Sequence, residues 1–133
     1  MFVLDTSVFT RLHRPAVRRQ IDRLPPEDLA RSAITDLELG HSARNATEWD
    51  TTTEMLRVFT ELALAPEVVD RARAVQRDLA GRGLRGRKVP DLLIAASAEL
   101  AGASVVHYDQ DFELIATVTG QAHAWVVPRG SVD

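Results

Sequence analysis

Two short apolar runs in this chain end in an acidic residue, and that pairing constrains the fold more than any other feature. Met1-Phe2-Val3-Leu4 runs straight into Asp5, and Ser104-Val105-Val106-His107 is followed within two residues by Asp109. Neither run alternates apolar with polar residues, the pattern expected of a parallel strand covered on both faces. A carboxylate placed after such a strand falls in the crevice outside the strand's carboxyl end, where open α/β sheets bind ligands. Glu38 and Asp91 border further apolar segments. If these groups converge, two carboxylates about 4 Å apart repel by about 4 kcal/mol at an effective dielectric of about 20. A shared proton, a basic side chain or a divalent cation held by oxygen ligands must then offset the repulsion.

The rest of the chain alternates in the same way. Thr6 and Ser7 offer N-caps to a helix carrying Val8, Phe9 and Leu12. Arg14-Pro15 interrupts it, and Ala16 to Leu24 reads as a second helical stretch stopped by Pro25-Pro26. Leu29 to Ile34 is a strand candidate, after which Thr35 opens a helix bearing Leu37 and Leu39. The spacing of Met55, Leu56, Phe59 and Leu62 predicts a helix within Asn45 to Leu64, and Val68, Val69, Ala72, Val75 and Leu79 predict another from Pro66 to Leu79; Ala65-Pro66 separates them, with room for a very short strand before it. Gly81 to Gly86 is a glycine- and arginine-rich loop, and Pro90-Asp91 starts the most apolar helix, ended by Gly102. Asp109 to Phe112 turns into a short helix through Ile115, and Ala124 to Val127 is a last strand. Such alternation with short links predicts an α/β fold, a short central parallel sheet flanked by helices on both faces, in one domain over residues 1–133.

Composition narrows the chemistry. With 133 residues and 45% hydrophobic content the chain can bury a core without a covalent staple. It has no cysteine, which excludes disulfides, thiolate zinc sites, iron–sulfur clusters and cysteine nucleophiles. No leader pattern and no membrane-length apolar stretch stands in the sequence, so a soluble cytoplasmic protein is expected. The net charge of −3 argues against coating nucleic acid through bulk charge, yet basic residues cluster at Arg11, Arg14, Arg18 and Arg19, and again at Arg82, Arg85, Arg87 and Lys88.

Each acid also has an ordinary role available. Asp5 can cap the first helix, Thr35 and Glu38 have capping-box spacing, and Asp91, Asp109 and Asp111 stand at helix starts. Strand ends and helix starts meet at one edge of a doubly wound sheet, so capping and metal binding draw on the same placement.

Four segments together carry a resemblance. Val3-Leu4-Asp5-Thr6-Ser7-Val8, Ser32-Ala33-Ile34-Thr35-Asp36-Leu37-Glu38-Leu39, Val89-Pro90-Asp91-Leu92-Leu93-Ile94-Ala95 and Val105-Val106-His107-Tyr108-Asp109-Gln110-Asp111-Phe112 resemble, in order and spacing, the motifs of PIN-domain ribonucleases, above all the VapC-type toxins of toxin–antitoxin pairs. The resemblance spans essentially the whole chain. It implies a PIN-like fold and a metal-dependent endoribonuclease whose acidic site is Asp5, Glu38, Asp91 and Asp109, supported by the Ser7 hydroxyl and by Asp111 at its edge. It further implies Mg²⁺ or Mn²⁺ as cofactor, an RNA substrate, a cognate antitoxin and a homodimer. One position departs: family members commonly carry Thr or Ser two residues before the acid that matches Asp109, and here it is His107.

Phosphodiester hydrolysis needs a nucleophilic water and stabilisation of charge on the phosphoryl oxygens, both of which a divalent ion supplies. On this reading Asp5 and Asp91 contact the ion, Asp109 contacts it directly or through water, and Glu38 orients or deprotonates the attacking water. Arg82, Arg85, Arg87 and Lys88 precede Asp91 and are candidates for RNA phosphates, with Arg11 and Arg14 a second candidate rim. Trp49 and Trp125 are expected to serve packing rather than base stacking, and the apolar surface around Met55, Leu56 and Phe59 is a candidate partner groove if it is not internal. Two other functions compete. An aspartate-based Mg-dependent phosphatase is disfavoured because no Asp stands two residues after Asp5, and a catalytically silent PIN-like binding module is disfavoured by the presence of all four acids.

Overall fold

The structure is a computed structural model describing residues 1–133. Five short segments form strands: β1 (Phe2–Leu4), β2 (Leu29–Ser32), β3 (Thr60–Leu62), β4 (Ser104–His107) and β5 (His123–Trp125). All pair in parallel, in the order β3-β2-β1-β4-β5. The switch in strand order falls at β1, between β2 and β4, and there the crevice at the carboxyl edge opens.

Pleating divides the core into two. Val3, Ala30 and Val105 join one buried cluster with Val75 and Leu79 of α5 (Pro66–Gly81), Ile94 and Ala98 of α6 (Val89–Leu100), and Phe112 and Ile115 of α7 (Asp111–Thr119). Leu4, Leu29 and Val106 face the other way, onto Val8 and Phe9 of α1 (Thr6–Phe9), Val17 and Ile21 of α2 (Pro15–Asp22) and Leu56 of α4 (Ala46–Leu56). The remaining helix, α3 (Ala33–Gly40), follows β2 directly. Its last residue must be glycine, because a Cβ on Gly40 would stand 2.7 Å from the Trp49 indole nitrogen. No helix is long and apolar enough to cross a membrane.

Two sequence expectations are corrected. The helix predicted within Asn45 to Leu64 ends at Leu56, and Thr60–Leu62 supplies the very short strand before Ala65-Pro66, an edge strand in register with Ala30–Ser32. Helical spacing misled here because a long-range partner decides the segment. The buried Arg31 guanidinium donates to Phe59 O at 2.5 Å, to both Asp36 oxygens at 2.7 and 3.0 Å and to Glu61 Oε1 at 3.2 Å, which ties the strand to β2. The Thr35–Glu38 capping box is absent: the N-cap of α3 lies three residues earlier, at Ser32, which accepts from Ile34 N–H. The apolar residues around Met55, a candidate groove only if not internal, are mostly internal: Leu56 is fully buried and Phe59 packs edge-on against Phe9 at 5.1 Å, leaving Met55 exposed.

Arg31→Leu should lower stability by about 1–3 kcal/mol and speed amide exchange selectively at Thr60–Leu62. Unchanged protection there, measured by hydrogen exchange, would mean that the backbone ladder alone holds the strand.

Candidate active site

The carboxyl ends of β1 and β4 are stitched together before any acid is considered. Asp5 N–H continues the ladder by donating to Val106 O at 2.9 Å. Asp5 also caps α1: its Oδ2 accepts from Ser7 N–H at 2.9 Å and from Ser7 Oγ at 2.5 Å, and Ser7 Oγ accepts in turn from Tyr108 N–H at 2.9 Å. One hydroxyl thus links the first acid to the loop that carries Asp109.

Asp91 enters from the first turn of α6, Asp111 from the start of α7, and Asp109 from the loop between β4 and α7. Each of these three acids offers an oxygen within 4.8 Å of the others. Basic side chains balance the cluster. Lys88 Nζ lies 2.5 Å from Asp109 Oδ2, 3.5 Å from Asp91 Oδ2 and 3.7 Å from Asp111 Oδ2, and Arg87 Nη1 donates to Asp111 Oδ1 at 2.8 Å. Asp109 Oδ1 accepts from Asp111 N–H at 2.9 Å, so both Asp109 oxygens are engaged.

The electrostatics divide the acids. Burial pushes the Asp91 carboxyl up to about 8, and the charges of Asp5 and Asp109 add to that against the opposing Lys88 ammonium. Burial raises Asp5 as well, against its hydrogen bonds from Ser7, with Glu38 adding repulsion. Burial acts upward on Asp109 too, but the Lys88 and Asp111 N–H hydrogen bonds outweigh it and hold this carboxyl below its ordinary range. The Lys88 ammonium is raised by its hydrogen bond to Asp109.

Two buried carboxylate oxygens, Asp5 Oδ1 and Asp91 Oδ2, accept no hydrogen bond. The Lys88 ammonium near Asp91 Oδ2 makes an ion pair without hydrogen-bond geometry. An orphaned buried oxygen on each of two mutually repelling acids fits the donor set of a hard divalent cation.

Glu38 is exposed and stands outside the three-acid cluster, close enough to Asp5 to raise its pKa. Thr6 Oγ1 donates to Glu38 Oε1 at 2.7 Å and lies 2.9 Å from Thr35 Oγ1. Sequence reasoning treated Thr6 only as a cap; its adjacency to Asp5 was the available signal. His107 is wholly buried, and burial, with the neighbouring His123, lowers its pKa to about 4. Trp125 packs beside it at 5.0 Å and donates to Glu113. Among the basic candidates, Arg87 and Lys88 turn inward to the acids, Arg82 donates to Thr117 O, and Arg85 is exposed without an ion pair. Arg11 stacks on Tyr108 and Arg14 pairs with Asp133 at 2.6 Å, so both are occupied by neighbouring residues.

Residues 2–118 match the profile of the PIN domain. The chain is 52% identical to "Ribonuclease VapC51" of Mycobacterium tuberculosis over 99% of its own length and 97% of that protein. The chain belongs to the PIN-domain family, among the VapC ribonucleases. Solved structures share its fold: FitAcB from Neisseria gonorrhoeae, with a TM-score of 0.78 at 24% identity over 95% of this chain and 98% of that one, and a toxin–antitoxin complex from Klebsiella pneumoniae, with 0.76 at 22% over 96% and 98%.

In this PIN domain, without added metal, Asp91 makes stability pH-dependent. Its folded pKa of about 8 lies above the ordinary 3.8, so the stabilisation it contributes is complete below about 3.8 and is lost as pH rises toward 8. Asp91→Asn keeps the neutral form and escapes that loss. The melting temperature of the variant minus that of the wild type should therefore grow between pH 4 and 8 in EDTA, and Mg²⁺ should narrow the gap by stabilising the wild type alone. A flat difference across that range would show that the carboxyl is not held protonated.

Proposed function

We propose that the chain is a divalent-metal-dependent endoribonuclease and the toxin of a toxin–antitoxin pair. The observation that carries the reading is the pair of buried oxygens without a hydrogen bond, Asp5 Oδ1 and Asp91 Oδ2, the second belonging to the cluster with the Asp109 and Asp111 carboxylates. The family membership and the name of its 52% identical relative support RNA as the substrate.

Asp5 and Asp91 are assigned to direct contact with Mg²⁺ or Mn²⁺. Asp109, whose oxygens are both engaged, reaches the ion through water, and Asp111 holds the edge through Arg87. When bound, the ion lowers the pKa of a coordinated water and polarises the phosphoryl oxygens. Glu38 is the group suited to accept the proton of the attacking water, since it is exposed while Thr6 fixes one of its oxygens. Ser7 keeps the Asp5 carboxylate oriented with Oδ1 left over for the ion. Lys88 balances the carboxylates in the protein alone.

RNA phosphates are assigned to the basic loop. A groove of ≈ 350 Å³ beside the acids is lined by Arg85 and Arg87 of that loop and by Arg73 and Arg77 of α5, with no acid in its wall. Arg85, exposed and unpaired, is the strongest contact, while Arg82, Arg87 and Lys88 contribute once substrate competes with their internal partners. The solved toxin–antitoxin complex with this fold supports a cognate antitoxin as partner. Exposed Leu37, beside Ile34, Glu38 and Pro90, offers an apolar rim at the site for that partner.

Asp5→Asn tests the catalytic assignment, since asparagine caps a helix as well as aspartate does. RNA cleavage should fall by more than about 100-fold, beyond the usual loss for a residue that only supports a ligand, with the circular dichroism spectrum unchanged. EDTA should stop the wild type, and Mg²⁺ or Mn²⁺ should restore it. Wild-type protein that binds RNA yet cuts none with either ion would instead be a silent binding module. Arg85→Gln should reduce the salt slope of RNA binding by about 1; an unchanged slope would move the phosphate path away from this loop.

A further inference from the structure

The Asp109 loop is organised by two successive side-chain-to-backbone bonds. His107 Nδ1 accepts from Asp109 N–H at 3.2 Å, and Asp109 Oδ1 accepts from Asp111 N–H at 2.9 Å. Each spans two residues, and together they turn the chain so that Asp109 and Asp111 both reach Asp91. An amide N–H can only donate, so the Nδ1 facing it must be a lone pair. The His107 proton then sits on Nε2, which is 2.9 Å from His123 Nδ1 and donates to it. That bond in turn places the His123 proton on its own Nε2. One backbone amide therefore determines the tautomers of two histidines.

The ring is held for this task. His107 is fully buried, lies against Phe112 with centroids 5.1 Å apart and planes at 29°, and touches Trp125 and His123 at 5.0 and 5.1 Å. β5 brings His123 and Trp125 there, in register with Val105 and His107 of β4. A serine or threonine hydroxyl at the same position could accept the amide two residues on in an ST-turn. It would need no second residue to orient it.

We infer that His107 is a positioning residue for the acidic site: its neutral imidazole anchors the Asp109 amide in place of a hydroxyl, and His123 on the edge strand locks the tautomer that lets it do so. The inference rests on the metal-site reading above for its consequence, but not for the anchoring itself. Its cost is that the geometry of Asp109 now depends on β5, a strand that contributes no acid to the site.

The test uses the full chain and two readouts. Isothermal titration with Mn²⁺ alone compares wild type, His107→Phe, which keeps an aromatic ring but no acceptor, and His107→Thr, which supplies a hydroxyl. His107→Phe should weaken Mn²⁺ binding by about tenfold, the scale at which outer partners of metal ligands act, while His107→Thr stays near the wild type. His123→Phe should also weaken binding, but not when added to His107→Thr, because a hydroxyl needs no tautomer lock. The second readout is the ¹⁵N spectrum of wild-type imidazoles, which should show His107 protonated at Nε2 alone. A protonated Nδ1, or a folded His107→Phe that binds Mn²⁺ as tightly as the wild type, overturns the inference. If His107→Phe fails to fold, the spectrum and the His123→Phe comparison still decide. If the wild type binds no Mn²⁺, the metal reading fails separately, and loss of Asp109 amide protection in His107→Phe with retention in His107→Thr still supports the anchoring.

Discussion

Repulsion among carboxylates gathered at the carboxyl edge of a parallel sheet is the constraint on which the rest of the structure depends. Asp5 and Asp91 are nearly removed from water, and burial, with the neighbouring acidic charges, raises both carboxyls above their ordinary range. The protein tolerates this arrangement by surrounding it with donors. Ser7 satisfies one oxygen of Asp5, Lys88 spans three aspartates, and Arg87 neutralises Asp111. What these donors leave unsatisfied is as informative as what they satisfy. A buried oxygen without a partner on each of two adjacent acids is costly unless a cation completes it.

The framework that holds the acids is built from short contacts between sequence-distant ends. Ser7 Oγ joins the start of α1 to the Tyr108 N–H after β4 across more than half the chain, and the hydroxyl of the same tyrosine holds the C-terminal segment by donating to Val132 O and accepting from Gly130 N–H. Arg11 lies over the Tyr108 ring at 4.6 Å. The loop bearing Asp109 is thereby held from the Ser7 side and from the His107 side. Rigid strand ends with satisfied backbone groups give a site whose ligands are set before any ion or substrate arrives.

Much of this was legible without coordinates. The unbroken apolar runs before Asp5 and Asp109, the prolines at Arg14-Pro15 and Pro90-Asp91, and the glycine-rich loop between the long helices marked β1, β4, α2, α6 and the basic loop close to where they lie. Local patterns failed where a distant partner decided the outcome. Met55, Leu56, Phe59 and Leu62 continue a helical spacing, but pairing with β2 and the Arg31 hydrogen bonds make Thr60–Leu62 a strand. Glu38 stands at capping-box distance from Thr35, yet its oxygen binds Thr6 on another helix. Within the basic loop Arg87 and Lys88 are drawn onto the Asp111 and Asp109 carboxylates and Arg82 onto the Thr117 carbonyl, partners that lie far away in the chain.

By itself the sequence determined which residues end apolar runs in acids, and hence an α/β sheet with carboxylates at one edge, since run length and strand-end placement are local properties of the chain. Only the tertiary structure decided how those acids divide: Asp91, Asp109 and Asp111 within one cluster, Asp5 joined to it through charge, and Glu38 held apart by Thr6. It also decided the meaning of His107, which in sequence is merely a missing hydroxyl. Its acceptor role exists only because β5 brings His123 against it, and hydrogen-bond direction between residues far apart in the chain is not a property any one segment carries.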